Sequence, residues 1–205
     1  MKRHNAAIAL GVGAATAAGL ALLKVNKDLI VGSTAVVVGA GLMIALRDED
    51  GPGKQVINYE YFFNRAQDKF EVANYEEAIL DYNKALELSP TEICLVYSMR
   101  GNAKRNLGDF EGAISDQNKA LDFDPLYADG YFNRSSAKFK MGDFAGAIDD
   151  YSQVIKINPK DSDAFFNRAN VKKEIGDMKG ACEDWREAIG LGDEEAEKLL
   201  QENCE

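Results

Sequence analysis

The chain has 205 residues, 24 Lys+Arg against 34 Asp+Glu, a net charge of −10 and one histidine. That length holds one or two domains. The acidic balance argues against nucleic acid as the main partner, and a lone histidine, His4 in a basic start, leaves no histidine-based triad and no histidine zinc site.

The charge is uneven. Residues 1–50 carry five Lys/Arg and four Asp/Glu, and the remainder 19 against 30. The first part is different in kind. After Met-Lys-Arg-His-Asn come 18 uncharged residues, Ala6 to Leu23, then a charged break from Lys24 to Asp28, then 18 more from Leu29 to Leu46. Eighteen helical residues extend about 27 Å, close to the ~30 Å hydrocarbon core of a bilayer. Residues 1–47 are therefore expected to form a two-helix membrane anchor. Small residues at four-residue spacing, such as Gly11 and Ala15 or Ala35 and Gly39, would let two such helices pack closely. A signal peptide competes for the first run, with Ala15-Thr16-Ala17 as its cleavage site. Lys2, Arg3 and Arg47 outside the hairpin, against Lys24 and Lys27 in its turn, lean toward a cytoplasmic placement of the chain beyond residue 47. Residues 48–57, including Asp-Glu-Asp-Gly-Pro-Gly-Lys, read as a flexible linker.

From residue 58 onward the chain repeats. Ala78, Ala113, Ala147 and Ala181 lie 35, 34 and 34 residues apart, and Pro90, Pro125 and Pro159 keep the same steps. A period near 34 marks stacked helical hairpins. Within a unit, Ala147, Ile148, Tyr151, Val154 and Ile155 recur at helical spacing. Gly108, Gly142 and Gly176 can end a first helix in the left-handed conformation, and Asn74, Asp109, Asp143 and Asp177 stand at the cap of the second. One hairpin cannot bury its own apolar face, so neighbours must stack.

These residues resemble the tetratricopeptide repeat family. Phe62, Tyr97, Tyr131 and Phe165 match its early aromatic, and Ala66, Gly101, Ser135 and Ala169 its small residue. The turn glycines, the alanines and the prolines complete the pattern over roughly Asn58 to Cys204. Departures are Gln117 for the second-helix aromatic seen as Tyr82, Tyr151 and Trp185, Ala73 for the first turn glycine, and Asp193 for a fourth proline. The resemblance implies an all-α, right-handed α-solenoid. Residues 58–205 would hold four units, at about 59–92, 94–127, 128–161 and 162–192, closed by a capping helix over 193–204.

Two sets of polar residues stand out in this register. Arg65, Arg100, Arg134 and Arg168 recur where the family usually has leucine, and Asp81, Asp116, Asp150 and Asp184 each follow by 16 residues. That offset joins the first helix of a unit to its second, so the rows are expected to be structural ion pairs rather than ligand-binding arginines. The resemblance places partners on the concave face lined by the first helices. Residues projected there are Phe63, Asn64, Gln67 and Phe70; Asn102 and Arg105; Phe132, Asn133, Ser136 and Phe139; and Phe166, Asn167, Asn170 and Lys173. Aromatic rings offer contact area and amides bond a peptide backbone; the competing reading packs the rings between repeats. Members that clamp the C-terminal carboxylates of chaperones are similar to one another in carrying lysine at the position of Phe63, asparagine at that of Gln67, and lysine and arginine at those of Asp129 and Asn133. That clamp is therefore largely absent from this chain.

No phosphate-loop motif occurs. Cys94, Cys182 and Cys204 have no metal spacing and fit a reducing compartment. Cys182 takes the place of Ile79, Ile114 and Ile148, which predicts a buried, reduced thiol; it meets Cys204 only if the last helix folds back. The sequence therefore predicts a membrane-anchored scaffold that binds a protein segment, possesses no enzymatic activity, and needs no metal, cofactor, nucleic acid or small-molecule substrate. Two alternatives stand beside it: a membrane-active Gly/Ala-rich hairpin regulated by the repeats, and a secreted repeat protein.

Overall fold

The computed structural model describes residues 34–38, 41–46, 55–88 and 93–204. Three short strands come first: β1 (Thr34–Val38), β2 (Gly41–Leu46) and β3 (Gln55–Ile57). They form an antiparallel sheet in the order β1-β2-β3, with Thr34 opposite Ala45 and Ile44 opposite Ile57. The helix expected over Leu29–Leu46 is thus replaced by extended backbone wherever that run is described. The segment is rich in β-branched residues, among them Thr34, Val36, Val37, Val38 and Ile44, which suit a pleated strand better than a helix. The first expected span, Ala6–Leu23, lies outside the described residues. Among the described residues no helix is long and apolar enough to cross a membrane.

Among the described residues from 59 onward, every regular element is a helix. The helices are α1 (Tyr59–Glu71), α2 (Tyr75–Leu88), α3 (Ile93–Asn106), α4 (Phe110–Phe123), α5 (Ala128–Lys140), α6 (Phe144–Ile157), α7 (Ser162–Glu174), α8 (Met178–Gly190) and α9 (Glu194–Asn203). Each packs on the next in sequence, so four hairpins stack in a row and α9 closes the end. Asp109, Asp143 and Asp177 cap α4, α6 and α8, accepting from the amides of Gly112, Gly146 and Gly180 at 2.9–3.0 Å. The turns before those caps use Gly108, Gly142 and Gly176 at φ of 80–82°. Ala73 adopts the same left-handed conformation, φ 58°, although it carries a Cβ. Asp193, at the site of the missing fourth proline, caps α9 by accepting from the amides of Glu195 and Ala196.

The core is built from alanines that let helices approach closely. Ala66, Ala78, Ala85 and Ala103 are fully buried around Phe62, Tyr82 and Val96. Ala169, Ala181, Ala188 and Ala196 enclose Trp185 at the other end. The second unit departs in a matched way. A Cβ on Gly101 would come within 2.8 Å of Gln117 Nε2, so glycine there makes room for the buried glutamine that replaces the aromatic. Gln117 Nε2 donates to the Ser98 carbonyl at 3.0 Å.

One expectation about the end of the chain is corrected. Cys182 is not a reduced thiol: α9 folds back along α8 and a disulfide joins Cys182 to Cys204, with their Cα atoms 6.0 Å apart. That separation lies in the ordinary range for such a bond. Cys94 is the free cysteine.

Candidate partner-binding face

The arginine and aspartate rows meet within each hairpin. Arg65 Nε and Nη2 donate to the two oxygens of Asp81 at 2.6 and 2.5 Å. The same fork joins Arg100 to Asp116, Arg134 to Asp150 and Arg168 to Asp184, with every bond between 2.6 and 2.8 Å. The carboxylates are buried, 2–5% exposed, while the arginines are 14–37% exposed. A second cation, not anticipated from the sequence, completes each site. Lys69, Lys104, Lys138 and Lys172 reach Oδ2 of the same aspartates at 2.8–2.9 Å. Their signal was present as a lysine 12 residues before every aspartate of the row.

The arginines also tie neighbouring hairpins together. Nη1 of Arg100 and of Arg134 donates to Asn83 and Asn118 of the preceding unit, both at 2.6 Å, and that of Arg168 donates to Ser152 at 2.9 Å. Each guanidinium lies over an aromatic ring three residues back, Tyr97, Tyr131 or Phe165 in those units and Phe62 with Tyr61 in the first. Burial alone would raise the Asp81 carboxyl, but hydrogen bonds from Arg65 and Lys69 outweigh it and hold its pKa below the usual value. The same bonds hold Lys69 and Arg65 above theirs. The arginines are therefore engaged inside the protein and do not present open forks to a ligand.

The residues projected onto the first-helix face divide into two groups. The rings are half-buried and packed inward: Phe63 against Tyr82 at 5.9 Å, Phe132 edge-on to Tyr151 at 5.4 Å, Phe70 against Tyr75 at 5.2 Å and Phe139 against Phe144 at 5.6 Å. Phe166 packs on the cluster around Trp185. Several polar groups are engaged too. Asn102 Oδ1 accepts from Gln117 Nε2 at 3.5 Å, Asn170 Oδ1 from the Trp185 indole at 3.3 Å, and Asn167 Nδ2 donates to the Asp163 carbonyl at 2.7 Å. Lys173 lies 5.9 Å from the centre of the Trp185 ring. Arg105 Nη1 donates to Ser136 at 2.9 Å, bridging α3 and α5, while its buried Nε has no acceptor among the described residues. The side chains of Asn64, Gln67 and Asn133 make no hydrogen bond among the described residues. A small cleft lined by Tyr59, Glu60, Phe63, Asn64, Leu95 and Val96 opens at the start of this face, between α1 and α3.

Hairpins of this size, stacked in register and braced in this way, define a helical-repeat scaffold. Tetratricopeptide repeat models match residues 59–92, 96–125 and 136–176, together just over half of the chain. The chain belongs to the tetratricopeptide repeat family. No curated protein matches it. Among solved structures it is similar to MamA, at 21% identity and a TM-score of 0.63 over 68% of this chain and 81% of that one. MamA from Desulfovibrio magneticus RS-1 superposes at a TM-score of 0.64 with 17% identity, over 69% and 81%. The first repeat domain of Spaghetti (RPAP3), bound to the HSP90 peptide SRMEEVD, shares 24% identity at a TM-score of 0.56, over 58% of this chain and 94% of that one. At these identities the likeness speaks of the fold.

Proposed function

We propose that this protein is an interaction scaffold that holds an extended or helical segment of another protein along the face formed by α1, α3, α5 and α7. The carrying observation is the contrast between polar groups. The arginine and aspartate rows are bonded internally, whereas the side chains of Asn64, Gln67 and Asn133 on this face have no hydrogen-bond partner among the described residues. Amides in that state are suited to a peptide backbone. The half-buried rings beside them supply apolar contact. The peptide-bound relative supports a protein ligand in general. The positions of Phe63, Gln67, Asp129 and Asn133 argue against a chaperone C-terminus as that ligand.

The test is a cross-linking pull-down with the full chain and with the triple variant N64A/N133A/R105A. The partner should be lost while the far-ultraviolet circular dichroism spectrum stays unchanged. Retention of the partner by the folded variant would refute the face as the binding site.

Attachment to a membrane, where the scaffold would serve assembly of a complex, belongs to the same proposal and rests on the two uncharged runs. The Cys182–Cys204 bond removes the cysteine argument for a reducing compartment, leaving a cytoplasmic placement on flanking charge alone. Full-length protein should resist carbonate extraction and residues 51–205 should not; release of the full chain would refute the anchor.

A further inference from the structure

The last helix is held differently from the others. α9 has ten residues, of which Ala196 is the one fully buried, and its main packing partner is α8. Beneath it lie Ala181, Trp185 and Ala188, all fully buried. In the first and third units, Ile79 and Ile148 pack against the core clusters. In the fourth unit Cys182 holds that position and is bonded to Cys204, the C-cap of α9, 22 residues away. A covalent link thus stands where apolar packing stood. Cys182 is buried, whereas Cys204 is only partly buried, so Cys204 is the more accessible residue of the pair.

We propose that the Cys182–Cys204 bond is a site of dithiol–disulfide exchange that latches α9 over the end of the solenoid. A thiolate of a dithiol reductant attacks the Cys204 sulfur and forms a mixed disulfide. The Cys182 sulfur leaves and takes a proton. The reductant's second thiol then attacks the reductant's own sulfur in the mixed disulfide, releasing Cys204 as a thiol and closing the reductant's disulfide. Two electrons and two protons have passed to the chain. With the bond open, α9 is left with the packing of Ala196, Leu199, Leu200 and Cys204 and the turn and cap bonds at its start. A helix this short is marginal in isolation, so it lifts and uncovers Trp185. A terminal cap protects the last repeat of a solenoid, and here its closure answers to redox state. Cys94 is a poor competitor for the exchange, because burial and the nearby Asp124 raise its thiol pKa and reduce its thiolate fraction.

The test uses the full chain. Thiol titration of protein unfolded without reductant should find one free thiol. On adding dithiothreitol, amide exchange across residues 194–203 should quicken on the order of 100-fold, while residues 162–190 change less than about tenfold. Trp185 is the only tryptophan of the chain, so its emission should shift to the red and become quenchable by acrylamide. C204S, a change at a partly buried cap, should reproduce the reduced behaviour without reductant. Three free thiols would overturn the proposal. So would exchange in α9 that ignores reduction, or opening of α7 and α8 along with α9, which would make the bond a staple of the whole array.

Discussion

Lys138 Nζ lies 2.9 Å from Asp150 Oδ2, the same oxygen that accepts from Arg134 Nε at 2.8 Å. One buried carboxylate is therefore shared by two cations from successive turns of α5. This arrangement decides what removing one partner does. Arg134→Ala leaves Asp150 with Lys138 still in place, so the charge is weakened in its pairing but not orphaned. The loss should be about 2–3 kcal/mol, below the ~3–5 kcal/mol of a fully broken buried pair. Arg134→Ala with Lys138→Ala should reach that larger value. Arg134→Leu with Asp150→Ala should recover part of it, because no buried charge is left unpaired. Urea unfolding of residues 51–205 measures all three. Single changes at Arg134 and Asp150 that each cost under ~1 kcal/mol and add independently would show that the rows do not brace the fold.

The first of these sites should also shape the acid limb of stability. The Asp81 carboxyl is held below its ordinary pKa by Arg65 and Lys69, so its contribution is complete above the unfolded value near ~3.9 and is lost as pH falls through the lower folded value. Lys69 is held above its ordinary value; its contribution is complete below about 10.4 and disappears as pH rises through the folded value. Urea midpoints should be nearly flat in this respect between those limits. Asp81→Asn should lower the plateau and flatten the acid limb; an unchanged acid limb in that variant would count against the assignment.

Tyr82 is fully buried, and its hydroxyl has no hydrogen-bond partner among the described residues; burial pushes its pKa up to about 12. Tyr82→Phe should be neutral or stabilise by up to about 1 kcal/mol, because it removes a buried group left unsatisfied. A loss above about 1 kcal/mol, read from denaturant midpoints, would contradict that assignment.

Ala73 is the residue in the turn series that departs from glycine while keeping the left-handed backbone. Ala73→Gly should stabilise the repeats by roughly 0.5–1 kcal/mol, since relief of the Cβ penalty exceeds the added freedom of the unfolded chain. Thermal unfolding should show a higher midpoint; a lower one would mean that the turn accommodates alanine without strain.

Phe132 and Phe166 test how much of the first-helix face is open surface. Their rings contact Tyr151 and the Trp185 cluster, so Phe132→Ala with Phe166→Ala should lower stability by a few kcal/mol as well as weaken binding. A double variant with an unchanged melting temperature would place the rings on the outside of the core.

The repeat itself was legible in the sequence, because its signals are local. Alanines and prolines at steps of 34 or 35 residues mark the hairpins, and the offset of 16 between Arg134 and Asp150 is the distance from one helix to its antiparallel partner within a single unit. The lysine at offset 12 was equally regular, but it reads as an ordinary solvated cation until the fold shows Lys138 and Arg134 on successive turns above one buried oxygen. The inward packing of Phe63 and Phe132 depends on how closely each first helix approaches its second. The Arg134–Asn118 bond depends on the stacking of one unit on the next. The pairing of Cys182 with Cys204 depends on α9 folding back over α8, and the extended backbone at Thr34–Val38 and Gly41–Leu46 depends on pairing between strands. Period and spacing along the chain determine what each hairpin is; which side chains it has left to offer is decided by distances between elements that no local pattern encodes.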